Sequence, residues 1–306
     1  MDMEKWVSER LKEIQIEEYT DKFGHRRFPG QKKLNMIQKS YVVPLACGEG
    51  TALLSTPELA SQRKDILVLL FHDISHDSTY PLWHWITSLN LNGISVLTID
   101  WDGHGSPATS YFDVQETTRS IPLILQRLFG TQGGRGLGEE RAGPSCFLMG
   151  HGLGASYSLI ASTREDVSRH VAGVIAVSPS IVLDRNSSIF GDAWSLMSLS
   201  AWTSDFANKF SYYGFGWIWG VFWGLSSKKF PIRAKLYISA DEQVKRFVHE
   251  AFAERKLLRR VKTPVLWLHG RKDSHASYLK SLPLMMEIPT AFFSYHDEKR
   301  DYLRMA

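Results

Sequence analysis

From residue 66 onward, short continuous runs of apolar residues alternate with segments whose apolar positions recur at helical spacing. Apolar runs of about four to eight residues are typical of strands buried on both faces of a sheet. The predicted strands are 66–71, 94–99, 146–149, 171–178, 264–268 and 291–295. The predicted helices are 81–91, 114–129, 153–163 and 242–258. This alternation predicts an α/β fold with a mainly parallel sheet, right-handed crossovers and helices on both faces.

The residues before this alternation carry weaker signals. Residues 39–44 and 51–54 are predicted as two leading strands joined by a turn at 48–50. Apolar residues at positions 3, 7, 11 and 14 recur at helical spacing and predict an amphipathic helix in an N-terminal extension over 1–33. Charged residues interrupt this terminus, so we do not expect it to act as a secretory signal peptide.

Two segments interrupt the strand–helix rhythm. Residues 130–144 are rich in glycine and follow no predicted strand, which favours a surface loop. Residues 183–232 are too long for a connection and too aromatic for a linker, and we interpret them as an insertion over the sheet. The predicted organisation is an N-terminal extension over 1–33, an α/β core over 34–182 and 241–306, and a cap or lid over 183–240.

The predicted cap is rich in aromatic residues. Trp217, Trp219 and Trp223 lie in an uncharged stretch over 210–227. We interpret these tryptophans as lining an apolar ligand pocket, with an aromatic core packed on the sheet as the alternative. The stretch is not expected to span a membrane, because its tryptophans lie in the middle and it contains four glycines. We expect a cytoplasmic protein, and peripheral membrane contact through the cap stays open.

The composition is that of an ordinary globular protein. Of 306 residues, 43% are hydrophobic and 22% are charged, which excludes global disorder. The formal net charge of +4, without any basic run, is too small to indicate nucleic-acid binding. Cys47 and Cys146 are the only two cysteines, so neither a disulfide framework nor a cysteine-rich zinc site is expected.

One segment carries a recognisable chemical pattern. Gly150-His151-Gly152-Leu153-Gly154 directly follows a predicted strand and opens a predicted helix. That context matches the nucleophile elbow G-x-S-x-G, in which a sharp turn exposes the nucleophile at the end of a sheet. Here Gly152 stands at the position of the nucleophilic serine.

Further blocks follow in a fixed order. They are His72-Asp73 after the 66–71 strand, Asp100 to Ser106 (DWDGHGS), Ser178-Pro179, Pro264 to Asp273 (PVLWLHGRKD) and His296 after the last predicted strand. Together with the elbow, these blocks resemble the α/β-hydrolase superfamily. Within it they resemble the branch of monoacylglycerol lipases, lysophospholipases and serine aminopeptidase S33-like domains. The resemblance covers about residues 60–306.

The resemblance implies a serine hydrolase site that needs no cofactor and no metal. It implies a nucleophile at position 152, a general base at His296, and Asp273 to hold the imidazole. It also implies an oxyanion hole formed by the backbone N–H of Leu153 and a second one near Asp73.

The chain departs from the family pattern where the chemistry would occur. Gly152 has no side chain and cannot form an acyl-enzyme. Asp73 replaces the glycine of the usual His-Gly pair, and its carboxylate would oppose the negative charge that develops in an oxyanion hole. Glycine adopts the strained elbow geometry at little cost, so the fold can persist without a nucleophile.

Three hypotheses follow. The first is a hydrolytically impaired α/β-hydrolase-fold protein that binds an apolar acyl-type small molecule or a protein partner. The second is a working carboxylic-ester hydrolase of monoacylglycerol or lysophospholipid type, if Gly152 is an introduced substitution or if His296 activates a water. The third is a scaffold whose cap contacts a membrane surface or another protein.

Overall fold

The computed structural model describes residues 1–14, 36–46, 48–73, 82–100, 114–130, 143–181, 246–247, 250–252, 256–271, 273 and 276–296. Its strands are β1 (Lys12–Ile14), β2 (Met36–Leu45), β3 (Gly48–Pro57), β4 (Ile66–Phe71), β5 (Ser95–Ile99), β6 (Ser145–His151), β7 (Val171–Val177), β8 (Val265–Gly270) and β9 (Ala291–His296). These nine strands form one sheet in the order β1-β2-β3-β5-β4-β6-β7-β8-β9.

Seven α-helices and one 3-10 helix (Ala60–Gln62) have defined bounds in the described residues. The helices are α1 (Met3–Ser8), α2 (Trp83–Leu91), α3 (Val114–Phe129), α4 (Leu153–Ser162), α5 (Glu165–Ser168), α6 (Lys256–Arg259) and α7 (Tyr278–Met285). Most of them connect consecutive strands of the sheet, as the alternating pattern predicted.

The sheet changes from antiparallel to parallel along its width. β1, β2, β3 and β5 pair in antiparallel fashion. From β5 through β4, β6, β7 and β8 to β9, every neighbouring pair is parallel. The mainly parallel α/β sheet with helices that the sequence predicts is therefore confirmed.

Both faces of the central strands are buried. Leu67, Leu69 and Phe71 of β4 join a large core that also contains residues of α3 and α4. Val68 and Leu70 point to the opposite face and join a second core with Ile86 of α2. Since side chains alternate along a strand, the continuous apolar run of β4 supplies both cores at once.

The predicted turn at 48–50 is wrong. Leu45 pairs with Gly48, so residues 46 and 47 make the connection and residues 48–50 already belong to β3. Gly48 has a φ of 136°, a conformation that favours glycine. Two-residue connections are the commonest in hairpins, and glycine composition alone placed the turn too late.

The N-terminal helix of the structure is shorter than the sequence predicts. α1 ends at Ser8, and Lys12–Ile14 pair with β2 as the edge strand of the sheet. α1 nevertheless has the predicted amphipathic character, because Met3, Trp6 and Val7 are buried. A three-residue strand is too short for its alternation to be seen in the sequence.

Several expectations lie outside the described residues. These include the whole predicted cap over 183–240, most of the glycine-rich segment over 130–144 and residues 15–33 of the N-terminal extension. The proposed domain boundaries therefore stay predictions. Among the described residues, no helix is long and apolar enough to cross a membrane.

Candidate active site

The sheet brings the predicted elbow and Asp73 to the same place. The chain runs from β4 to β5 on one side and then returns to β6 on the other side of β4. Ligand sites of open α/β sheets lie at such a switch point, beyond the carboxyl ends of the strands. Phe71 of β4 is in register with Gly150 of β6. Asp73 and Gly152 each follow two residues later, so the register places them side by side.

The outer glycines of the elbow permit close backbone packing. A Cβ on Gly154 would lie 2.5 Å from the carbonyl oxygen of Phe71 and 2.6 Å from that of His72. A Cβ on Gly150 would overlap backbone atoms of Gly154. The tight strand–turn–helix therefore needs glycine at both positions, as the motif predicted.

Gly152 retains the geometry of an elbow. It lies directly before α4 with φ 56° and ψ −117°, and L-residues rarely adopt such a positive φ. Its N–H donates to the Val177 carbonyl at 2.9 Å, and its carbonyl accepts from the Ser180 N–H at 3.1 Å. These bonds fasten the turn to the end of β7, so the turn is held in place without a nucleophile side chain.

The carboxylate of Asp73 fills the space beside Gly152. A Cβ on Gly152 would overlap the carboxyl carbon of Asp73 and lie 2.5 Å from Oδ1. Oδ1 accepts a hydrogen bond from the backbone N–H of Leu153 at 2.8 Å, and Asp73 is only 6% exposed. The sequence placed Asp73 near the predicted oxyanion hole but did not predict that its side chain binds the Leu153 N–H.

Two histidines at the site have packing roles. His72 is fully buried, and its Nδ1 lies 2.7 Å from the carbonyl oxygen of Asp73. His151 is 3% exposed and meets the ring of Trp85 edge-on, with centroids 6.4 Å apart. Both side chains shape the walls of the turn that carries Gly152.

Asp273 lies in a tightly organised turn after β8. Its N–H donates to the Gly270 carbonyl at 3.1 Å, and its Oδ1 accepts from the Ala276 N–H at 2.9 Å. The side chain is 6% exposed. The turn therefore holds a buried carboxylate at the carboxyl edge of the sheet, where an acid that orients a histidine is expected.

His269 supports this turn, a role that the sequence did not reveal. The indole Nε1–H of Trp267 donates to Nδ1 of His269 at 3.2 Å. Since Nδ1 accepts, Nε2 carries the proton and donates it to the Ala276 carbonyl at 2.7 Å. Ala276 in turn binds Asp273, so a chain of buried hydrogen bonds runs from β8 to the acid. The available signal in the sequence was the position of His269, directly after a predicted strand and four residues before Asp273.

His296 ends β9, where its backbone is in register with Gly270 of β8. Asp273 follows Gly270 by three residues, so both candidate residues lie at one edge of the sheet. The side chain of His296 lies outside the described part of the structure, and the predicted hydrogen bond between His296 and Asp273 stays a prediction. Trp217, Trp219 and Trp223 also lie outside the described residues. The residues that the structure describes contain no cluster of His, Cys, Asp and Glu suited to a metal ion.

Ser178 is an unexpected feature at this edge. It follows β7 with a φ of 42°, and within the described ranges no other non-glycine residue has a positive φ. Its hydroxyl is buried and has no hydrogen-bond partner among those same residues. Such strain costs of order 1–3 kcal/mol and clusters at functional sites. The Ser-Pro pair marks a turn in the sequence, but the backbone conformation leaves no sequence signal.

The sequence was compared with protein-family models. The model described as the alpha/beta hydrolase family matches residues 68–294, which is more than half of the chain. The chain belongs to the alpha/beta hydrolase family. The match spans the switch point, the elbow, the Asp273 turn and most of β9. No curated protein matches the sequence.

Solved structures of similar fold include several hydrolases. An esterase from Pyrococcus furiosus has 12% identity and a TM-score of 0.55, covering 89% of this chain and 86% of that one. A serine hydrolase from Cycloclasticus zankles has 11% identity and a TM-score of 0.56, with coverages of 86% and 90%. Est1E from Butyrivibrio proteoclasticus, solved with ferulic acid, has 14% identity and a TM-score of 0.52, with coverages of 83% and 90%. At these identities the likeness concerns the fold.

The structure brings the elements of the predicted site to one edge of the sheet. The turn with its outer glycines, the Leu153 N–H and the buried Asp273 all lie at the carboxyl ends of β6 and β8. Residue 152 offers no oxygen or sulfur to attack a carbonyl. The Leu153 N–H, the predicted oxyanion-hole donor, is bound to the carboxylate of Asp73.

Proposed function

We propose that this member of the alpha/beta hydrolase family forms no acyl-enzyme and binds an apolar acyl-type ligand without cleaving it. The observation that carries the proposal is Gly152, which holds the elbow conformation at φ 56° and has no reactive atom. Acyl transfer in this fold requires a nucleophile that attacks the carbonyl carbon. Without one, the first covalent step has no donor of the electron pair.

Other routes to hydrolysis are weak. An oxyanion hole and substrate binding alone can retain about 10³–10⁴-fold acceleration over water when triad members are lost. That remaining acceleration depends on hydrogen-bond donors aimed at the developing oxyanion. Leu153 N–H is engaged by Asp73, so even this acceleration is reduced here. We therefore infer that turnover is negligible, although Asp273 and His296 remain at the proper edge of the sheet.

The proposed ligand class rests on apolar character. Ligand pockets are lined mainly by hydrophobic and aromatic side chains, with few polar groups. The insertion between β7 and β8 contains Trp217, Trp219 and Trp223 in an uncharged stretch. The described residues that precede this insertion follow the carboxyl end of β7, and the N–H of Ser180 donates to the carbonyl of Gly152 at 3.1 Å. An acyl chain is the ligand chemistry that such a sequence would accommodate.

Two measurements on the full chain test the proposal. Hydrolysis of p-nitrophenyl esters of increasing chain length should not exceed the rate with the Asp273→Asn variant, which serves as the matched control. A fluorescent fatty acid should bind saturably, and replacing the three cap tryptophans by alanine should weaken that binding at least about tenfold, since interface tryptophans dominate apolar contacts. Turnover that depends on Asp273, or the absence of saturable binding, would contradict the proposal.

A further inference from the structure

Asp73 is the unusual group of this site. Its carboxylate meets two different features of the elbow at once. It occupies the volume into which any side chain at position 152 would project. It also accepts the N–H of Leu153, the residue that follows the nucleophile position, at 2.8 Å.

We propose that Asp73 is a built-in occupant of the oxyanion hole, so that Gly152 and Asp73 form one matched pair. In a hydrolase site, the N–H after the nucleophile receives the carbonyl oxygen of the substrate as negative charge develops on it. Oδ1 of Asp73 takes that N–H instead. A carbonyl oxygen and this carboxylate oxygen cannot both occupy the donor.

The position suits a carboxylate for electrostatic reasons. Leu153 is the first residue of α4, a helix of 10 residues, and the amides at a helix N-terminus favour negative charge. Hydrogen bonds to a charged acceptor are stronger than neutral ones. Asp73 is 6% exposed, so this interaction is screened little by solvent. The helix therefore stabilises the side chain in the place where it would otherwise stabilise an oxyanion.

The pairing also explains why glycine is required at position 152. A serine or alanine there would need to displace the Asp73 carboxylate, because its Cβ would overlap the carboxyl carbon. The positive φ adds a backbone cost for any L-residue. Two separate penalties therefore act on a residue at 152, and only the first depends on Asp73.

The consequence concerns which ligands the site accepts. This deepens the proposed function, since the ligand must then be recognised through its apolar chain and without its carbonyl oxygen in the hole. Esters, acids and amides would bind with their polar ends outside the oxyanion hole. Asp73 is thus the residue that determines specificity at the polar end of the site.

A thermal-stability cycle tests the pairing without any assumption about activity. Gly152→Ala is measured in the otherwise unmodified chain and together with Asp73→Gly, with Asp73→Asn as the control that keeps the size of the side chain. In the unmodified chain and with Asp73→Asn, we expect Gly152→Ala to lower Tm by at least about 5 °C. With Asp73→Gly the loss should fall to less than half, since only the backbone cost remains.

A second arm tests access to the hole. Fluorophosphonate labelling is followed by intact mass for Gly152→Ser alone and for Gly152→Ser with Asp73→Gly. The double variant should label at least about tenfold faster, because Asp73→Gly frees the Leu153 N–H and one oxyanion-hole donor is worth about 10²–10³ in rate. Equal Tm losses in all three backgrounds, or equal labelling of the two serine variants, would overturn the pairing. Labelling of the unmodified chain would instead overturn the proposed function, so the two failures are distinguishable.

Discussion

At the scale of single residues, the site depends on where a Cβ can and cannot be placed. Gly154 allows the elbow to pack directly on the end of β4, and Gly150 allows the start of α4 to pack against β6. Both demands exist whether or not the site is catalytic. Gly152 differs from them, because it combines a positive φ with the neighbouring carboxylate of Asp73. Glycine at position 152 therefore adopts the positive φ at little conformational cost, while the two outer glycines permit the tight turn.

The first residue-scale prediction concerns Gly154→Ala. Its Cβ would meet the carbonyl oxygens of Phe71 and His72 at 2.5 and 2.6 Å, and backbone atoms cannot move away easily. We expect the free energy of unfolding to fall by about 1–3 kcal/mol. The control is Gly173→Ala, whose Cβ would meet the ring of Phe147 at 3.0 Å and the Pro264 carbonyl oxygen at an ordinary contact distance of 3.5 Å. Urea unfolding of both variants gives the comparison, and equal losses would contradict the close-packing account.

The second residue-scale prediction concerns His170, which stacks on Phe129 with ring centroids 5.6 Å apart. Burial, and then the charge of Arg169, lower the pKa of His170, while Asp166 raises it less. A lowered pKa in the folded state means that the unfolded chain binds the proton more tightly. The contribution of neutral His170 to the free energy of unfolding is therefore complete above the ordinary histidine pKa of about 6.5. It is lost as the pH falls below that value, because the unfolded chain then gains the proton first.

The measurement is urea unfolding at several pH values between about 7.5 and 5.5, a range that brackets the ordinary histidine pKa of about 6.5. The free energy of unfolding should decline with falling pH, and His170→Gln should make that decline shallower. The same slope in both proteins would show that His170 does not carry the effect.

At the scale of elements, the turn after β8 is the part most closely organised for chemistry. β8 and the Asp273 turn are joined by hydrogen bonds from Trp267 through His269 and Ala276 to Asp273. His269 also meets Tyr278, the first residue of α7, edge-on with centroids 5.8 Å apart. A hydrolase acid must be held rigidly, and this arrangement persists although residue 152 has no nucleophile.

The element-scale prediction concerns His269→Phe. The aromatic ring is kept, but the buried Trp267 N–H and the Ala276 carbonyl lose their partner. Buried polar groups without partners cost about 1–3 kcal/mol each, so we expect a clear loss in the free energy of unfolding. Leu279→Ala on α7 is the control, because Leu279 is 76% exposed and its removal should change stability little. Equal stability of His269→Phe and the unmodified chain would contradict the supporting role of His269.

At the scale of the whole molecule, the sequence predicted the parts that depend on local pattern. β4 and α3 have the predicted bounds, because an uninterrupted apolar run and a long amphipathic period are strong local signals. The position of the hairpin turn was predicted wrongly and β1 was not predicted, since short elements leave too few positions for a pattern. These errors concern the antiparallel strands β1, β2 and β3, and not the parallel strands β4 and β6 beside the candidate site.

The position of the candidate site was predictable from the sequence, but the contact between Asp73 and Leu153 was not. The elbow and Asp273 follow from ordered motifs, and the family match over residues 68–294 agrees with them. The contact between Asp73 and Leu153 joins residues 80 positions apart, and it depends on the register of β4 with β6. No local pattern encodes the direction of the Asp73 side chain. The available signal was that the chain departs from the family pattern at both Asp73 and Gly152.

The central claim is that the fold of an alpha/beta hydrolase is retained here without acyl-transfer chemistry. The most direct measurement is the intact mass of the unmodified chain after exposure to a fluorophosphonate, which traps an activated nucleophile at the elbow. The account predicts no adduct, because Gly152 has no nucleophilic atom and Asp73 occupies the Leu153 donor. A stoichiometric covalent adduct that disappears with Asp273→Asn would contradict it.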